Sequence, residues 1–246
     1  MTTIRGYVPT DKKEFNEESL VILRKAQEEL LFLLERGYPI KSASTFVGNH
    51  YLLSERQRLA VVRATATKSM IELRRNKQLT NEILGEKVSI DALNMIITLE
   101  VALSGSTLLR CMDGTIRDLA GLRGTYRLID QTDVAIQLIG EKLADMNIKE
   151  VTFYLDAPVS NTGRLKSKIF DMLNGSSYHV TVELVNNVDV ILEKLDNVIT
   201  SDSIVLNKCE SWINLVVEIL EDKLPEMKYV DLSMAAGRRI PKGSVR

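Results

Sequence analysis

The chain has 246 residues, 45% of them hydrophobic and 26% charged, and its formal net charge is -1. This balance is typical of a folded globular protein and excludes a global attraction to nucleic acid or to an anionic membrane. No apolar run approaches the roughly 20 residues that a membrane-spanning helix requires, and residues 1–6 lack the apolar core of a signal peptide. We therefore expect a cytoplasmic protein that does not contact a membrane.

The two cysteines, Cys111 and Cys209, lie far apart and form neither a CxxC pair nor a Cys/His cluster. A disulfide framework and a zinc site are therefore not predicted. We expect both thiols to be buried.

The first third of the chain has the pattern of an all-helical domain, which we assign to residues 1–82. Residues 1–15 are polar and lack periodicity, so we expect a loose arm. Helices are predicted from about residue 16 to a glycine–proline stop at residues 37–39, and again over residues 42–49. Ser54 and Gln57 form a capping box that begins a third helix running towards residue 76. A boundary to a second domain, residues 83–246, is expected next.

Positive charge collects in this helical unit, where Arg56 and Arg63 lie seven residues apart on one predicted helix. They would share a face that follows the phosphate backbone of RNA. Glutamates are interspersed with the basic residues, as on an ordinary solvated helix. Nucleic-acid contact and plain surface both remain open.

The second domain alternates between β-type and helical patterns. Strands are predicted over residues 87–91, 150–156, 179–185, 197–201 and near 228–232, and helices over 92–103, 132–146, 161–173, 187–195 and 208–222. The stretch 105–127 is punctuated by glycine. The alternation predicts a three-layer α/β/α Rossmann-like parallel sheet. Neither G-x-G-x-x-G nor G-x-x-x-x-G-K-[ST] occurs, so a dinucleotide site and a P-loop are not predicted.

Three predicted strands deliver an aspartate at or just after their end: Asp91, Asp156 and Asp202. The carboxyl ends of parallel strands meet at one edge of the sheet, so we expect these carboxylates to converge. Gathered carboxylates repel each other unless a divalent cation neutralises them, and Mg2+ or Mn2+ is the expected occupant. Alternatively, each aspartate caps the helix that follows it. Three aspartates in corresponding places favour a site.

Four short segments follow one another at these strand ends: I-D-A-L-N at 90–94, Y-L-D at 154–156, N-V-D-V at 187–190 and T-S-D-S at 200–203. In sequence and order they resemble the motifs of NYN-type members of the PIN-like metal-dependent nucleases. The resemblance implies a small Rossmann-like sheet of the PIN-like kind and Mg2+- or Mn2+-dependent cleavage of RNA. The chain as a whole resembles uncharacterised prokaryotic proteins that join a helical unit to a PIN-like domain.

Carried over position by position, the resemblance implies a metal-binding set of four carboxylates, the first three of them catalytic: Asp91, Asp156, Asp202 and Asp189. It also implies a supporting contact to nucleic acid by Asn94. Where the family has a second aspartate after D-S, this chain has Ile204. The loss of that carboxylate favours a protein that binds RNA with little or no cleavage.

Glu100 is the only charged residue between Asp91 and Arg110, and apolar residues flank it on both sides. A buried carboxylate requires a partner or a metal. It would either bind metal as a further member of the acidic set, as an acidic helix residue does in many PIN domains, or pair with Arg110 in the core. The sequence leaves both open.

The glycine-punctuated stretch holds two weaker motifs. Residues 111–115 partly match the D-x-D-G-T motif of haloacid-dehalogenase-like phosphatases, but Cys111 replaces the nucleophilic aspartate, so an Asp–Gly turn is the better interpretation. A basic loop follows that would grip RNA and stack a base, or that is an ordinary surface loop. Its residues are Arg117, Arg123, Tyr126 and Arg127, and Arg164 at a later helix start is a similar candidate.

Three functions remain open from sequence. They are a metal-dependent ribonuclease, a catalytically weak or inactive RNA-binding protein on the same fold, and, least favoured, a small-molecule phosphoester enzyme. The sequence does not decide between RNA and DNA, or whether the chain forms a homo-oligomer.

Overall fold

A computed structural model describes residues 4–80, 87–121 and 124–233 of this mixed α/β protein. Its helices are α1 (Asp11–Glu14), α2 (Glu17–Leu34), α3 (Ile40–His50), α4 (Glu55–Ala64), α5 (Lys68–Lys77), α6 (Ala92–Leu103), α7 (Asp130–Asp145), α8 (Thr162–Leu173), α9 (Val188–Leu192), α10 (Ser203–Lys208) and α11 (Leu215–Lys223). Its strands are β1 (Lys87–Asp91), β2 (Leu108–Arg110), β3 (Ile116–Asp118), β4 (Glu150–Asp156), β5 (His179–Val185), β6 (Val198–Ile199), β7 (Trp212–Ile213) and β8 (Val230–Asp231).

The central sheet has five parallel strands in the order β5-β4-β1-β6-β7, which confirms the expected parallel α/β sheet. β1 lies in the middle, where Ile90 is opposite Phe153 of β4 and Ile199 of β6. Successive residues of a strand face opposite sides of the sheet, and Val198 and Ile199 belong to two different apolar clusters. Apolar cores therefore lie on both faces, as the near-continuous apolar runs of buried parallel strands predict.

The fifth strand of this sheet differs from the prediction. The fifth strand is β7, which lies inside the stretch 208–222. One helix was expected there, but the stretch contains the end of α10, then β7, then most of α11. The backbone N–H of Val198 donates to the Ser211 carbonyl at 3.0 Å. The Trp212 indole donates to the Arg74 carbonyl at 2.7 Å. These long-range bonds hold a two-residue strand that is too short to show a pattern of its own.

The strand predicted near residues 228–232 exists as β8, but it belongs to a second sheet with the order β3-β2-β8. β2 and β3 are antiparallel neighbours joined by a turn at Asp113 and Gly114, in which Gly114 has a φ of 81°. Glycine takes this left-handed conformation without steric cost, so the Asp–Gly turn is confirmed. Both strands lie in the glycine-punctuated stretch and have only three residues each.

The N-terminal helices share an apolar core with this small sheet. Leu23 of α2 and Val61 of α4 belong to the same buried cluster as Leu109 of β2 and Leu232 after β8. The helical unit, α1 to α5, is therefore packed onto the second half of the chain. The boundary predicted between residues 82 and 83 lies outside the described residues and stays a prediction.

The long helix predicted over residues 54–76 is divided into α4 and α5. The capping box of Ser54 and Gln57 is present at the start of α4. A second cap interrupts the helix, because the Thr67 hydroxyl accepts a hydrogen bond from the Met70 N–H at 3.3 Å. Threonine satisfies a helix start in this way and loses side-chain freedom inside a helix, which explains the break.

Residues 4–15 do not form the loose arm that the sequence predicts. Arg5 Nε donates to Glu100 Oε2 at 2.7 Å, and the Glu100 side chain is fully buried. The hydroxyls of Tyr126 and Thr132 donate to the other carboxylate oxygen, each at 2.5 Å. An ion pair in the core therefore anchors the N-terminal segment to the second half of the chain.

Both expectations for Glu100 are corrected by this pairing. Arg110 is not its partner, since the Arg110 guanidinium lies 3.7 Å from Glu221. Glu100 is also nine residues beyond Asp91 along α6, which corresponds to about 13 Å at the rise of an α-helix. The carboxylate belongs to the core and not to the expected metal-binding set.

The longest helix of the described residues is α2, with 18 residues. No helix in residues 4–80, 87–121 and 124–233 has both the length and the apolar character needed to cross a membrane.

We expect Arg5→Ala to destabilise the protein strongly, because it leaves the buried Glu100 carboxylate without its charged partner. Breaking a buried ion pair from one side costs about 3–5 kcal/mol. Urea unfolding measures the loss, and Lys12→Ala, which removes an exposed charge from the same segment, is the matched control. A loss no larger than that of the control would show that Glu100 does not anchor the arm.

Candidate functional site

Three aspartates lie at the carboxyl edge of the central sheet, and each begins a helix or supports a helix start. Asp91 ends β1, Asp156 ends β4, and Asp202 follows β6. Each accepts a hydrogen bond from a backbone N–H, at 3.2, 3.2 and 2.7 Å respectively: those of Asn94, Val188 and Ile204. Asp91 and Asp202 therefore cap the helices that follow them, α6 and α10, whereas Asp156 does not cap α8 and instead binds the first residue of α9.

Asp91 is the most buried member, with 7% of its surface exposed. Burial raises the pKa of its carboxyl to about 7, hydrogen bonds from the Asn94 N–H and the Thr200 hydroxyl oppose the shift, and nearby Asp202 and Asp189 increase it. The Thr200 bond to Asp91 Oδ2 is 3.1 Å long. Ionised Asp91 is thus costly unless positive charge lies close by.

Asp189, in the first turn of α9, belongs to the same electrostatic group. Its pKa is raised first by burial and then by Asp202, Asp156 and Glu193, whereas Lys208 lowers it. We call Asp91, Asp156, Asp189 and Asp202 the acidic edge. Asp202 and Asp189 lie near enough to disfavour the ionised form of Asp91, and Asp202 and Asp156 lie near enough to disfavour that of Asp189.

The donor chemistry of the acidic edge suits a hard divalent cation. In residues 4–80, 87–121 and 124–233, no three His, Cys, Asp or Glu side chains lie close enough to hold one ion together. Mg2+ commonly binds one or two carboxylates and keeps several waters. The residues therefore fit a hydrated ion resting on one or two of Asp91, Asp189 and Asp202, and they do not form a closed cage.

Asn94 positions the loop that carries Asp202. Its Oδ1 accepts from the Ser201 N–H at 2.8 Å and from the Ser201 hydroxyl at 2.9 Å. The Thr200 hydroxyl also accepts from the Asp202 N–H, at 3.0 Å. Asn94 and Thr200 thereby hold Asp202 beside Asp91, while the predicted contact of Asn94 with nucleic acid stays a prediction.

A cleft of about 410 Å³ lies beside the acidic edge, between α4 of the helical unit and the first turns of α6. Arg63, Leu93, Asn94, Ile97, Asp202 and Ser203 line it, together with Arg117 and Asp118 of β3. Asp118 is 8% exposed and accepts from the Thr98 hydroxyl at 3.0 Å. Asp118 is not among the residues that the sequence predicts for the site, because it lies on a three-residue strand without a recognisable pattern.

Asp113 is a fully buried carboxylate that binds two arginines. Its Oδ2 accepts from Arg117 Nη2 at 2.6 Å and also from Arg74 Nη1, and its side chain is 0% exposed. Burial raises the pKa of Asp113, but Arg117, the Thr115 hydroxyl and Arg74 outweigh it and hold the pKa below its usual value. Asp113 is therefore ionised in the folded protein.

The two arginines extend this Asp113 network to the acidic edge. Arg117 Nε donates to the Ser201 carbonyl at 2.7 Å, and Arg74 Nη2 donates to the Ser203 carbonyl at 3.4 Å. These carbonyls flank Asp202 on both sides. The sequence indicates the Asp–Gly turn but not the network, because Arg74 comes from α5 of the helical unit and Arg117 from β3.

Arg56 does not form a free basic face with Arg63. Its guanidinium binds Asp11 at 2.5 Å and donates to the carbonyls of Gly6 and Leu119 at 3.0 and 3.1 Å. Arg56 therefore joins the N-terminal segment to the α/β part of the chain, and its donors are engaged within the protein.

The other predicted nucleic-acid contacts are placed differently. Tyr126 is 0% exposed, and its hydroxyl binds Glu100, so its ring is not accessible to a base. The side chains of Arg127 and Arg164 are exposed. Arg123 lies outside the described residues. Contact of Arg127 and Arg164 with RNA stays a prediction.

Asp91 gives the stability of the protein a defined pH dependence. Its folded-state pKa, about 7, lies above the ordinary value of 3.8, so the stability that it contributes is complete below about pH 4 and is lost as the pH rises through 7. Asp91→Asn lacks this loss. In metal-free buffer, the free energy of unfolding of the variant should rise relative to that of the wild type, by on the order of a few kcal/mol between about pH 4 and pH 8.

Urea unfolding at a series of pH values measures this gain. Asp145→Asn, which alters an exposed carboxylate at the end of α7, is the control. A difference between Asp91→Asn and the wild type that stays constant across the series would contradict the assignment.

We expect Asp113→Asn to unfold far more easily than the wild type, since it leaves two buried arginines without their shared counter-charge. The expected loss is about 3–5 kcal/mol. Asp133→Asn, which breaks a surface pair with Lys168, should cost no more than about 1 kcal/mol. Denaturant midpoints of the two variants test this, and equal losses would show that the Asp113 network adds nothing to stability.

Comparison with known proteins identifies the family. Residues 80–218 match the model of a domain of unknown function, DUF5616, and residues 22–77 match that of a protein of unknown function, DUF434. The chain is 35% identical over 207 residues to the uncharacterized protein MJ0935 of Methanocaldococcus jannaschii, which covers 84% of this chain and 98% of that protein. No solved structure matches significantly. The DUF5616 model matches more than half of the residues of this chain, so the chain belongs to the DUF5616 family.

Proposed function

We propose that this protein is a Mg2+- or Mn2+-dependent ribonuclease that hydrolyses phosphodiester bonds at the acidic edge. The observation that carries the proposal is the group of carboxylates at this edge: burial raises the pKa values of Asp91 and Asp189, and neighbouring aspartates raise them further. Carboxylates in structural ion pairs have lowered pKa values. Asp91 and Asp189 instead have raised pKa values, and an added cation would stabilise their ionised forms. The carboxyl ends of parallel strands are also where open α/β sheets bind ligands.

The proposal includes a Rossmann-like fold of the PIN-like kind. The four segments that resemble NYN-type nucleases end or follow β1, β4, β5 and β6, which are neighbours in the sheet. Motifs that are separated in the sequence are thus adjacent in the fold. This adjacency of the four segments in the sheet supports the resemblance.

In the proposed site, one or two of Asp91, Asp189 and Asp202 hold a hydrated cation. The bound ion would supply an activated water and offset the charge that develops on the phosphodiester. Asn94 and Thr200 keep the carboxylates in place through the hydrogen bonds described above. Asp91 binds a cation only after its carboxyl loses its proton, so ion affinity should increase as the pH rises towards and beyond 7.

A second candidate function is RNA binding without efficient cleavage. Two observations favour it. Ile204, which replaces a further aspartate of the nuclease motif, is 53% exposed at the start of α10. In the described part of the chain, no three ligating side chains are grouped for one metal ion. A site of this kind would hold an ion weakly.

We expect Asp91→Asn to reduce Mn2+-dependent cleavage of mixed-sequence single-stranded RNA by at least about 100-fold, because even outer-shell changes at metal sites cost 10–100-fold. The fold should persist, since asparagine caps a helix as well as aspartate does. Gel electrophoresis of the RNA with Mn2+, with Mg2+ and with EDTA measures the effect. Asp145→Asn is the matched control and should cleave like the wild type.

Thermal melts with and without Mn2+ test the same site independently of cleavage. An ion that binds only the folded protein raises its Tm, and this rise should shrink in Asp91→Asn. An undiminished rise would remove Asp91 from the metal site. RNA binding by the wild type without cleavage in either metal would favour the second candidate.

A further inference from the structure

The cleft beside the acidic edge combines three kinds of surface. Arg63 of α4 supplies a positive charge, Leu93 and Ile97 on successive turns of α6 supply an apolar wall, and Asp202 and Ser203 connect the cleft to the acidic edge. Its volume of about 410 Å³ lies in the range of about 300–1,000 Å³ that small-ligand pockets occupy. A nucleotide offers the matching chemistry, with a phosphate, hydroxyl groups and an apolar base face.

The two arginines of the cleft differ in how many N–H donors remain free for a ligand. Arg117 is 9% exposed at its side chain, and its three nitrogens donate to Asp113, to the Ser201 carbonyl and to the Arg63 carbonyl. Arg63 is 35% exposed at its side chain, and among the described residues it gives one hydrogen bond, to the Asp118 carbonyl. A guanidinium has five N–H donors. Arg63 is therefore the arginine that has donors for a ligand.

The backbone of Arg63 is held in place before any ligand arrives. Arg117 Nη1 donates to the Arg63 carbonyl at 2.7 Å, and Arg117 is itself bound by the buried Asp113. A side chain on a fixed backbone loses less freedom on binding. The Asp113 network thus orders the cleft as well as the loop of Asp202.

Two carboxylates also face the cleft and oppose a phosphate. Asp118 Oδ1 lies 3.7 Å from Arg63 Nη1, and its oxygens accept from the Thr98 hydroxyl and the Ala120 N–H at 3.0 and 2.7 Å. Arg63 and these two donors are the partners of this carboxylate. Asp202 lies at the acidic edge, where the proposed cation offsets it. The favourable position for a phosphate is therefore next to Arg63.

We propose that this cleft holds one unpaired nucleotide of the RNA strand, next to the bond at the acidic edge. Arg63 contacts its phosphate, and Leu93 and Ile97 pack against its sugar or base. The inference rests on the proposed function and extends it, because α4 lies outside the segments that resemble the nucleases. The helical unit thereby binds substrate directly. A base-paired nucleotide stays stacked in its duplex and does not enter, so single strands are preferred.

Binding of fluorescein-labelled, mixed-sequence single-stranded RNA, with Ca2+ in place of Mg2+, tests the proposal. We expect Arg63→Ala to weaken binding about 5–10-fold and to reduce the slope of log affinity against log salt by about 0.7, because one phosphate contact is lost. Arg63→Lys keeps the charge and should restore the slope with part of the affinity. Lys25→Ala, on the exposed face of α2, removes the same charge and should bind like the wild type.

A second variant tests the cleft without changing its charge. Ser203→Trp fills the space beside Arg63 and should weaken binding of single-stranded RNA by a similar factor. Thermal melts of each variant report whether the fold is retained. A duplex of the same sequence should bind more weakly than the single strand, and its affinity should be insensitive to Ser203→Trp.

The outcomes separate this proposal from the ribonuclease itself. Binding by Arg63→Ala and Ser203→Trp that equals binding by Lys25→Ala, or the absence of RNA binding by the wild type, overturns the cleft proposal. If Asp91-dependent cleavage is found at the same time, the ribonuclease proposal stands alone. Arg63-dependent binding by a protein that cleaves no RNA supports the cleft and removes the ribonuclease.

Discussion

The buried carboxylate of Asp113 neutralises Arg74 and Arg117, and through them it holds the backbone on both sides of Asp202. Burying three charges sacrifices solvation free energy, which only close and fully bonded geometry offsets. The network fixes the relative positions of three segments: α5, the β2–β3 turn and the loop after β6. The loop that carries Asp202 thus depends on the charges of the Asp113 network, whose arginines bind it on both sides.

At the acidic edge, capping and repulsion act on the same side chains. A carboxylate at a helix N-terminus is favoured by the helix dipole and by backbone N–H donors. Burial disfavours the ionised form of Asp91 most, and nearby Asp202 and Asp189 add to this cost. The caps keep the aspartates in place despite their repulsion, and a cation would relieve the repulsion. Capping and metal binding are therefore compatible roles of the same residues.

The helical unit lines the cleft and takes part in the Asp113 network. The two family matches divide the chain at residues 77 and 80. The apolar core, the Asp113 network and the cleft all cross this division, since Val61, Arg63 and Arg74 precede it and their partners follow it. The buried pair of Arg5 and Glu100 adds a further connection. Two segments that match separate families thus form one structural unit around one cleft.

Local signals determined much of this protein. The cap at Asp91 and the apolar run after it define α6 at residues 92–103, and Ser54 and Gln57 define the start of α4. Alternating strands and helices were enough to place aspartates at one edge of a parallel sheet. Tertiary structure alone decided the two-residue β7, the burial of Tyr126 and the partner of Glu100, which lies 95 residues away in the sequence. Caps and periodicity act within a few residues, whereas ion pairs and buried strands depend on contacts that exist only after the chain has folded.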